Sequence, residues 1–347
     1  MADGFTETVM KQRQLGNHGP TVSALGLGTM GMSDMYGPSD RAESIATIHA
    51  ALDQGITLLD TGDFYGMGHN EMLVGEALKG RRRDQVQISV KFGALRGPGP
   101  AEFNGYDSRP AAVRNFVAYS LKRLGVDYID IYRPARLDPS VPIEETIGAI
   151  AELIKQGYVR YIGLSEVGAQ TIRRAQAAHP ITDLQIEYSL ISRGIEKEIL
   201  PTCRELGIGI TAYGVLSRGL ISGHWQKNSS QGDFRSRSPR FSGSNLDTNL
   251  ALVEELRSVA EKIGVSVAQV AIAWVMARAE QQKAAIVPLV GARRRDRLAE
   301  SLGAMNVKLT SEQLADIERA VPPDAAAGAR YPEAQLAHMD SERPLTK

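Results

Sequence analysis

Short apolar runs alternate with stretches of helical periodicity from about residue 56 to about residue 300. The runs are 57–60 (TLLD), 88–92 (ISVKF), 128–132 (YIDIY), 161–166 (YIGLSE), 184–188 (LQIEY), 208–213 (IGITAY) and 285–290 (AIVPLV), and 22–27 supplies an eighth. Runs of this length read as parallel strands buried on both faces. Between them, Ile143, Ile147, Ile150 and Ile154 form one apolar helical stripe, preceded by Pro142 and followed by Gly157. Leu252, Leu256, Val259 and Ile263 form another, closed by Gly264, and Ser266 with Gln269 has capping-box spacing for a helix through Trp274. Residues 15–25, with Asn17 and Gly19-Pro20 as turn residues, read as a hairpin ahead of the first strand.

Two segments break the rhythm. Residues 217–245 are rich in Ser, Gly and Arg and read as a long functional loop. The tail beyond Val321 is irregular and is expected to be partly disordered. No linker divides the chain, so the expectation is one domain over residues 1–347, with strand–helix alternation over about 22–320 and a tail over 321–347. Alternation alone leaves two architectures open, a closed barrel and an open doubly wound sheet.

Composition removes several classes of function. Forty basic residues balance forty acidic ones, so no global field favours nucleic acid or an anionic membrane. Cys203 is the only cysteine, which excludes a disulfide framework or thiolate metal cluster within one chain; no metal is expected. No N-terminal run resembles a signal peptide and no segment is apolar enough to span a bilayer, so a cytoplasmic location is the expectation.

Gly26, Gly28 and Gly31 spell the dinucleotide fingerprint GxGxxG, but its context is missing. The motif should open a helix and be followed by an acid ending a second strand. Here it runs into MSDMYGPSD, and Asp60 comes too late. None of the eleven tyrosines has a lysine four residues later, which also argues against a short-chain dehydrogenase.

Polar residues at the strand ends carry more information. Asp60 ends TLLD, Lys91 interrupts ISVKF, Ser165 and Glu166 end YIGLSE, Gln185 lies in LQIEY and Tyr213 ends IGITAY. In a parallel barrel these ends converge on one face, where active sites form. Each alone has a plain structural explanation, such as a turn cap or a side chain reaching solvent; the recurrence is what points to a site. Asp60 and Lys91 are expected to pair, because a lone charge inside a barrel is costly. Tyr65 follows in DTGDFYG, on the loop over the same mouth. A neighbouring ammonium is expected to lower its pKa from about 10 and make it a general acid for a carbonyl oxygen.

With these residues in view, the sequence resembles the aldo-keto reductase superfamily over nearly its whole length. The motifs that carry the resemblance are LGLGTMGMS, LLDTGDFYGMGHNEMLVGEAL, SLKRLGVDYIDIY, GYVRYIGLSEV, LQIEYSLISR, ITAYGVLSRGLISG and VGARRRDRLAESLGA. The resemblance implies a (β/α)8 TIM barrel with an N-terminal β-hairpin and a long cofactor-covering loop, and a nicotinamide cofactor, NADPH, bound without a Rossmann motif. Carried over residue by residue, it gives Asp60, Tyr65 and Lys91 as catalytic residues. The family's usual histidine is replaced by Ala135 in IDIYRPARLDP, which implies a wider pocket suited to a bulky ketone more than a small aldehyde. His69, in GMGHNE, reads as the start of a helix and not as its replacement.

For the cofactor, the resemblance implies Ser165 and Gln185 at the nicotinamide carboxamide, Tyr213 stacked on the ring, and the backbone of Thr29 and Met30 near the ribose. Glu166 stands where asparagine is usual. Leu216, Ser217, Gly219 and Leu220 match the pyrophosphate loop. Gly291, Arg293, Arg294 and Arg297 match the 2′-phosphate site, with Glu300 and Ser301 near the adenine. Independently, crowded arginines at a helix start oppose its dipole, which an anion would relieve. The expected activity is NADPH-dependent reduction of a carbonyl to an alcohol, with a small-molecule substrate and either a monomer or a homo-oligomer. Two alternatives stay open: a cofactor-binding regulatory protein with little chemistry, and reduction of a conjugated C=C bond, to which Ala135 cannot supply the proton that a glutamate at that position would.

Overall fold

The computed structural model describes residues 10–33, 35–99, 102–226, 232–336 and 339–343. The expectations about residues 1–9, the centre of the long loop and the last four residues lie outside that set. Eight parallel strands close into a barrel: β3 (Gly26–Gly28), β4 (Leu58–Gly62), β5 (Gln87–Phe92), β8 (Ile129–Pro134), β9 (Val159–Ser165), β10 (Asp183–Glu187), β11 (Gly209–Tyr213) and β12 (Ile286–Gly291). The barrel alternative is therefore the correct one. Strand β12 returns to β3 with Gly291 opposite Gly28, and this pairing removes the open edge.

The run at 22–27 is not one strand. Its first half joins a hairpin, β1 (Gln12–Gln14) with β2 (Thr21–Ser23), Arg13 opposite Val22, and only Gly26–Gly28 enters the barrel. The hairpin has a packing role. Leu15 and Val22, both fully buried, join Leu58, Ile131, Val287 and Leu289 in a small core that plugs the barrel floor. A second hairpin, β6 (Ala94–Arg96) with β7 (Phe103–Tyr106), follows β5.

Helices surround the strands as the stripes predict. Ile143–Lys155 buries Ile143, Ile147 and Ile150, and Gly243–Ile263 ends at Gly264 with φ of 81°. Ser266 and Gln269 form both bonds of the capping box of Val267–Gln281. Among the described residues no single helix is long and apolar enough to cross a membrane.

Both irregular segments are better ordered than the sequence implied. The long loop contains 3-10 turns at Ser217–Ser222, Phe234–Arg237 and Pro239–Phe241. The described part of the tail is pinned across the barrel mouth. Asn249 holds Ala327 by two bonds, to its carbonyl at 2.9 Å and from its amide at 2.8 Å, and Arg218 donates to the Arg330 carbonyl at 2.7 Å. Gly328, at φ 79°, passes so close to residues 239–240 that a Cβ would lie 2.9 Å from the Pro239 carbonyl carbon. These described residues thus form a fixed strap.

Candidate active site

Alternation along each strand decides what enters the barrel. On β5, Ile88, Val90 and Phe92 pack outward against helices, which leaves Ser89 and Lys91 inside. The same parity turns Leu58 and Asp60, Ile131 and Arg133, and Asp183, Gln185 and Glu187 inward. Above the apolar floor these form a buried polar chain. Thr211 Oγ1 bonds Asp183, whose Oδ2 accepts from Arg133 at 2.9 Å; Arg133 Nη2 donates to Ser89 Oγ at 3.0 Å, and Ser89 donates to Asp60 Oδ2 at 2.8 Å. Arg133 and Asp183 are fully buried and paired, as an interior charge requires. Gly163 makes room for them, since a Cβ there would sit 2.9 Å from the guanidinium carbon.

At the top of this chain Asp60 Oδ1 accepts from Lys91 Nζ, and Asp60 Oδ2 also accepts from Gln185 Nε2 at 2.7 Å. Tyr65 lies alongside, with the Lys91 ammonium 5.1 Å from its ring centroid. The turn carrying it has Gly66 and Met67 at φ 55° and 54°. Phe64 packs edge-on against the ring at 4.7 Å. The three expected catalytic residues are therefore together, and Tyr65 and Lys91 are only 6 % and 4 % exposed.

One expectation about them is corrected. Tyr65 does not have a lowered pKa: burial first, and the Asp60 carboxylate second, raise it well above the ordinary phenol value. Lys91 pairs with Asp60 as expected, but the pair does not lower the phenol's pKa. Lys91 itself is shifted down, because burial disfavours its charge more than Asp60 supports it. Both effects keep the phenol protonated.

The cofactor residues fall into two groups. Ser165 and Gln185 are buried at the strand ends, and Tyr213 is half-buried beside them. The side chain of Thr29 is committed to the scaffold: its Oγ1 lies 2.8 Å from the Asp60 carbonyl and 2.6 Å from Asn70 Oδ1, leaving backbone for any ligand. Met30 begins the turn that follows. Leu216, Ser217, Gly219 and Leu220 lie in a tight turn with Ser217, Arg218 and Gly219 at φ 46°, 56° and 95°, and Ser217 and Leu220 are buried. His69 starts Asn70's helix, with its Nδ1 2.9 Å from Ser33 Oγ, as expected of a helix start.

The arginine cluster at the start of the helix Arg295–Gly303 is compensated by protein carboxylates. Arg294 pairs with Asp296, Arg295 with Glu43, and Arg297 with Glu300. Relief by an anion is thus not required, which corrects the dipole argument. Arg294 and Arg297 keep 61 % and 42 % of their side chains exposed and remain reachable. Arg293 is turned elsewhere: its Nη1 donates to the carbonyls of Tyr36 and Gly37 at 3.1 and 2.9 Å. Ser301 is buried and donates to the Arg297 carbonyl, and Gly291 is exposed at the end of β12.

Ala135 is buried directly after β8, its amide donating to the Phe92 carbonyl at 2.8 Å. Several site residues were missed. Arg136 follows Ala135 into the mouth, where its Nη1 approaches Ser165 Oγ at 3.4 Å. Glu187 shares the inward parity of Gln185, a signal present in LQIEY. Glu166 is fully buried at φ 51°, an unusual conformation for a non-glycine residue, and Arg330 from the tail binds its Oε2 at 2.7 Å. Ser341 Oγ binds the same oxygen at 2.7 Å and the Tyr213 hydroxyl donates to Oε1 at 2.7 Å. Burial opposes this charge, but Arg330 outweighs it and holds the carboxyl far below the usual range. Tyr331 completes the lid, its hydroxyl 2.9 Å from that of Tyr213. No sequence signal marked Arg330 or Tyr331, because a tail has no periodicity to read.

A closed parallel barrel with an Asp–Lys pair and a phenol buried at the carboxyl ends of its strands is a TIM barrel carrying a polar cluster on the face where active sites form. The chain belongs to the aldo-keto reductase family: the aldo/keto reductase family model matches residues 24–322. It is 44% identical over 330 residues to a protein of Glycine max described as probable aldo-keto reductase 1, covering 94% of this chain and 93% of that one. Among solved structures, a glycerol dehydrogenase from Gluconobacter oxydans superposes with a TM-score of 0.79 at 30% identity, covering 93% of this chain and 97% of that one. An aldo-keto reductase from Bacillus halodurans, in its holo form, gives 0.74 at 28% identity, with 90% and 96% covered.

Proposed function

We propose that this oxidoreductase reduces a ketone or aldehyde, with room for a bulky one, using NADPH and Tyr65 as the proton donor. The observation that supports it most is the buried Asp60–Lys91 pair against Tyr65 at the barrel mouth. Tyr65 holds its proton until a carbonyl oxygen arrives. Lys91 lies over its ring, oriented by Asp60, which Ser89 and Gln185 fix in turn. Burial of all three excludes water from the transfer.

The residues present fit the cofactor. Ser165 and the remaining amide oxygen of Gln185 would hold the carboxamide, Tyr213 the ring, the turn at residues 216–220 the pyrophosphate, and Arg294 and Arg297 a 2′-phosphate. When bound, the nicotinamide would supply the hydride. Glu166 fits least, since its carboxylate is already taken by Arg330. We read the whole chain as one such domain.

Tyr65→Phe tests the assignment. Steady-state NADPH oxidation should be abolished while NADPH affinity stays nearly unchanged, because the ring remains and only the acid is lost. Normal turnover in that variant removes Tyr65 from the role. The absent histidine and the strap favour one rival, a cofactor-binding regulatory protein; single-turnover oxidation of bound NADPH separates the two.

A further inference from the structure

The cations around the mouth other than Arg136 each have a carboxylate within ion-pair distance. Lys91 is held by Asp60 and Arg133 by Asp183; Arg218 and Arg240 face Glu187; Arg330 binds Glu166, Glu187 and Glu342. Arg136 is the charge left over. Among the described residues it pairs with no carboxylate within ion-pair distance.

Its contacts are instead with neutral oxygens. Nη1 donates to the Ala135 carbonyl at 2.6 Å and approaches Ser165 Oγ at 3.4 Å, while Nη2 approaches the Tyr331 hydroxyl at 3.4 Å. The last two are at the long limit of a hydrogen bond and are easily exchanged. The buried Glu166 carboxylate supports the Arg136 charge only from beyond contact, so the planar fork is left to match an incoming carboxylate through two parallel bonds. The location is also specific. Arg136 folds back over Ala135, where a small side chain leaves space, and its charge is felt at both Tyr65 and Lys91.

We propose that Arg136 receives a carboxylate carried by the substrate next to the reacting carbonyl, so that the substrate class is the 2-oxo acids. This rests on the oxidoreductase reading above and narrows it. With the reduced nicotinamide bound, the carbonyl carbon would gain its hydride and the cofactor would leave oxidised, while the carbonyl oxygen would gain the proton of Tyr65, so that the C=O π bond becomes a C–H and an O–H bond. The carboxylate passes through unchanged, the product is a 2-hydroxy acid, and Tyr65 regains its proton from water.

Benzoylformate and its methyl ester share a skeleton and differ in that charge, so they form the test pair with wild type, Arg136→Ala and Arg136→Lys. Arg136→Ala should lower kcat/KM for benzoylformate by about 10- to 100-fold, mainly through KM, and lower that for the ester several-fold less. Lysine, with the charge but not the fork, should recover part of the loss. Calorimetry adds a readout without turnover: wild type should bind benzoate at least tenfold more tightly than benzamide, and Arg136→Ala should lose that preference while unfolding at the same temperature as wild type. Equal losses for acid and ester, or equal binding of benzoate and benzamide, overturn the assignment. Ester turnover without a benzoate preference rejects Arg136 alone. A benzoate preference with no turnover of either compound rejects the oxidoreductase reading and keeps the carboxylate site.

Discussion

Arg330 closes on Glu166 at 2.7 Å across 164 residues of sequence, joining the tail to the end of strand β9. The carboxylate is fully buried, so removing its partner strands a charge. Arg330→Ala should therefore destabilise the fold by about 3–5 kcal/mol, and Glu166→Gln added to it should cost much less than the sum of the single changes. The check is a double-mutant cycle in denaturant. A coupling below about 0.5 kcal/mol, the level of ordinary additivity, would show that the pair does not hold the strap in solution.

Cofactor choice depends on the exposed pair Arg294 and Arg297. Changing both to Ala should weaken NADPH binding far more than NADH binding, since each charge-assisted contact is worth about 1.5–3 kcal/mol. Titration of both cofactors measures it. Equal weakening would mean that these arginines, already paired with Asp296 and Glu300, do not meet the 2′-phosphate.

Position 135 should govern the size of the substrate. Ala135→His is expected to raise turnover of small aldehydes, where positioning is the deficit, and to slow bulky ketones by filling their space. Positioning and acid–base assistance are each worth factors of about 100 or more, so partial restoration is measurable in kcat/KM. A fall for aldehydes with bulky ketones untouched would place residue 135 away from the substrate.

Stability should depend on pH through Asp63, two residues before Tyr65. Burial pushes its carboxyl up to about 7, only partly offset by the Gly93 amide that its Oδ2 accepts at 3.2 Å. Between the ordinary aspartate value of about 4 and this raised value, the folded chain keeps a proton that the unfolded chain releases. Its contribution is thus full below pH ~4 and is lost as pH rises through 7. Asp63→Asn removes the dependence, so the variant should gain on wild type by up to about 4 kcal/mol between pH 4 and 8. Thermal unfolding across that range checks it; a constant gap would place the carboxyl's titration outside it.

What was legible in the sequence was local and periodic. Polar residues at strand ends marked Asp60, Lys91 and Gln185, Gly264 and the Ser266–Gln269 pair marked helix ends, and the motifs carried the family. Strand alternation, applied as well, would have exposed Glu187, two residues after Gln185. Alternation could not choose between a closed barrel and an open sheet, because that choice depends on whether β12 meets β3. Nor could it divide residues 22–27 between a hairpin and a strand, since both are extended.

The sequence by itself determined which residues bear charge and which face of each element is apolar, because those properties repeat every two or 3.6 positions. Only the tertiary structure decided who neutralises whom. Arg133 with Asp183, Arg295 with Glu43 and Arg330 with Glu166 are separated by 50, 252 and 164 positions, and no local pattern encodes such pairs. Burial makes the first and last of these pairings obligatory, and only chain closure selects the partner. That same closure raised the pKa of Tyr65 instead of lowering it, because it buried the phenol and set the Asp60 carboxylate near it.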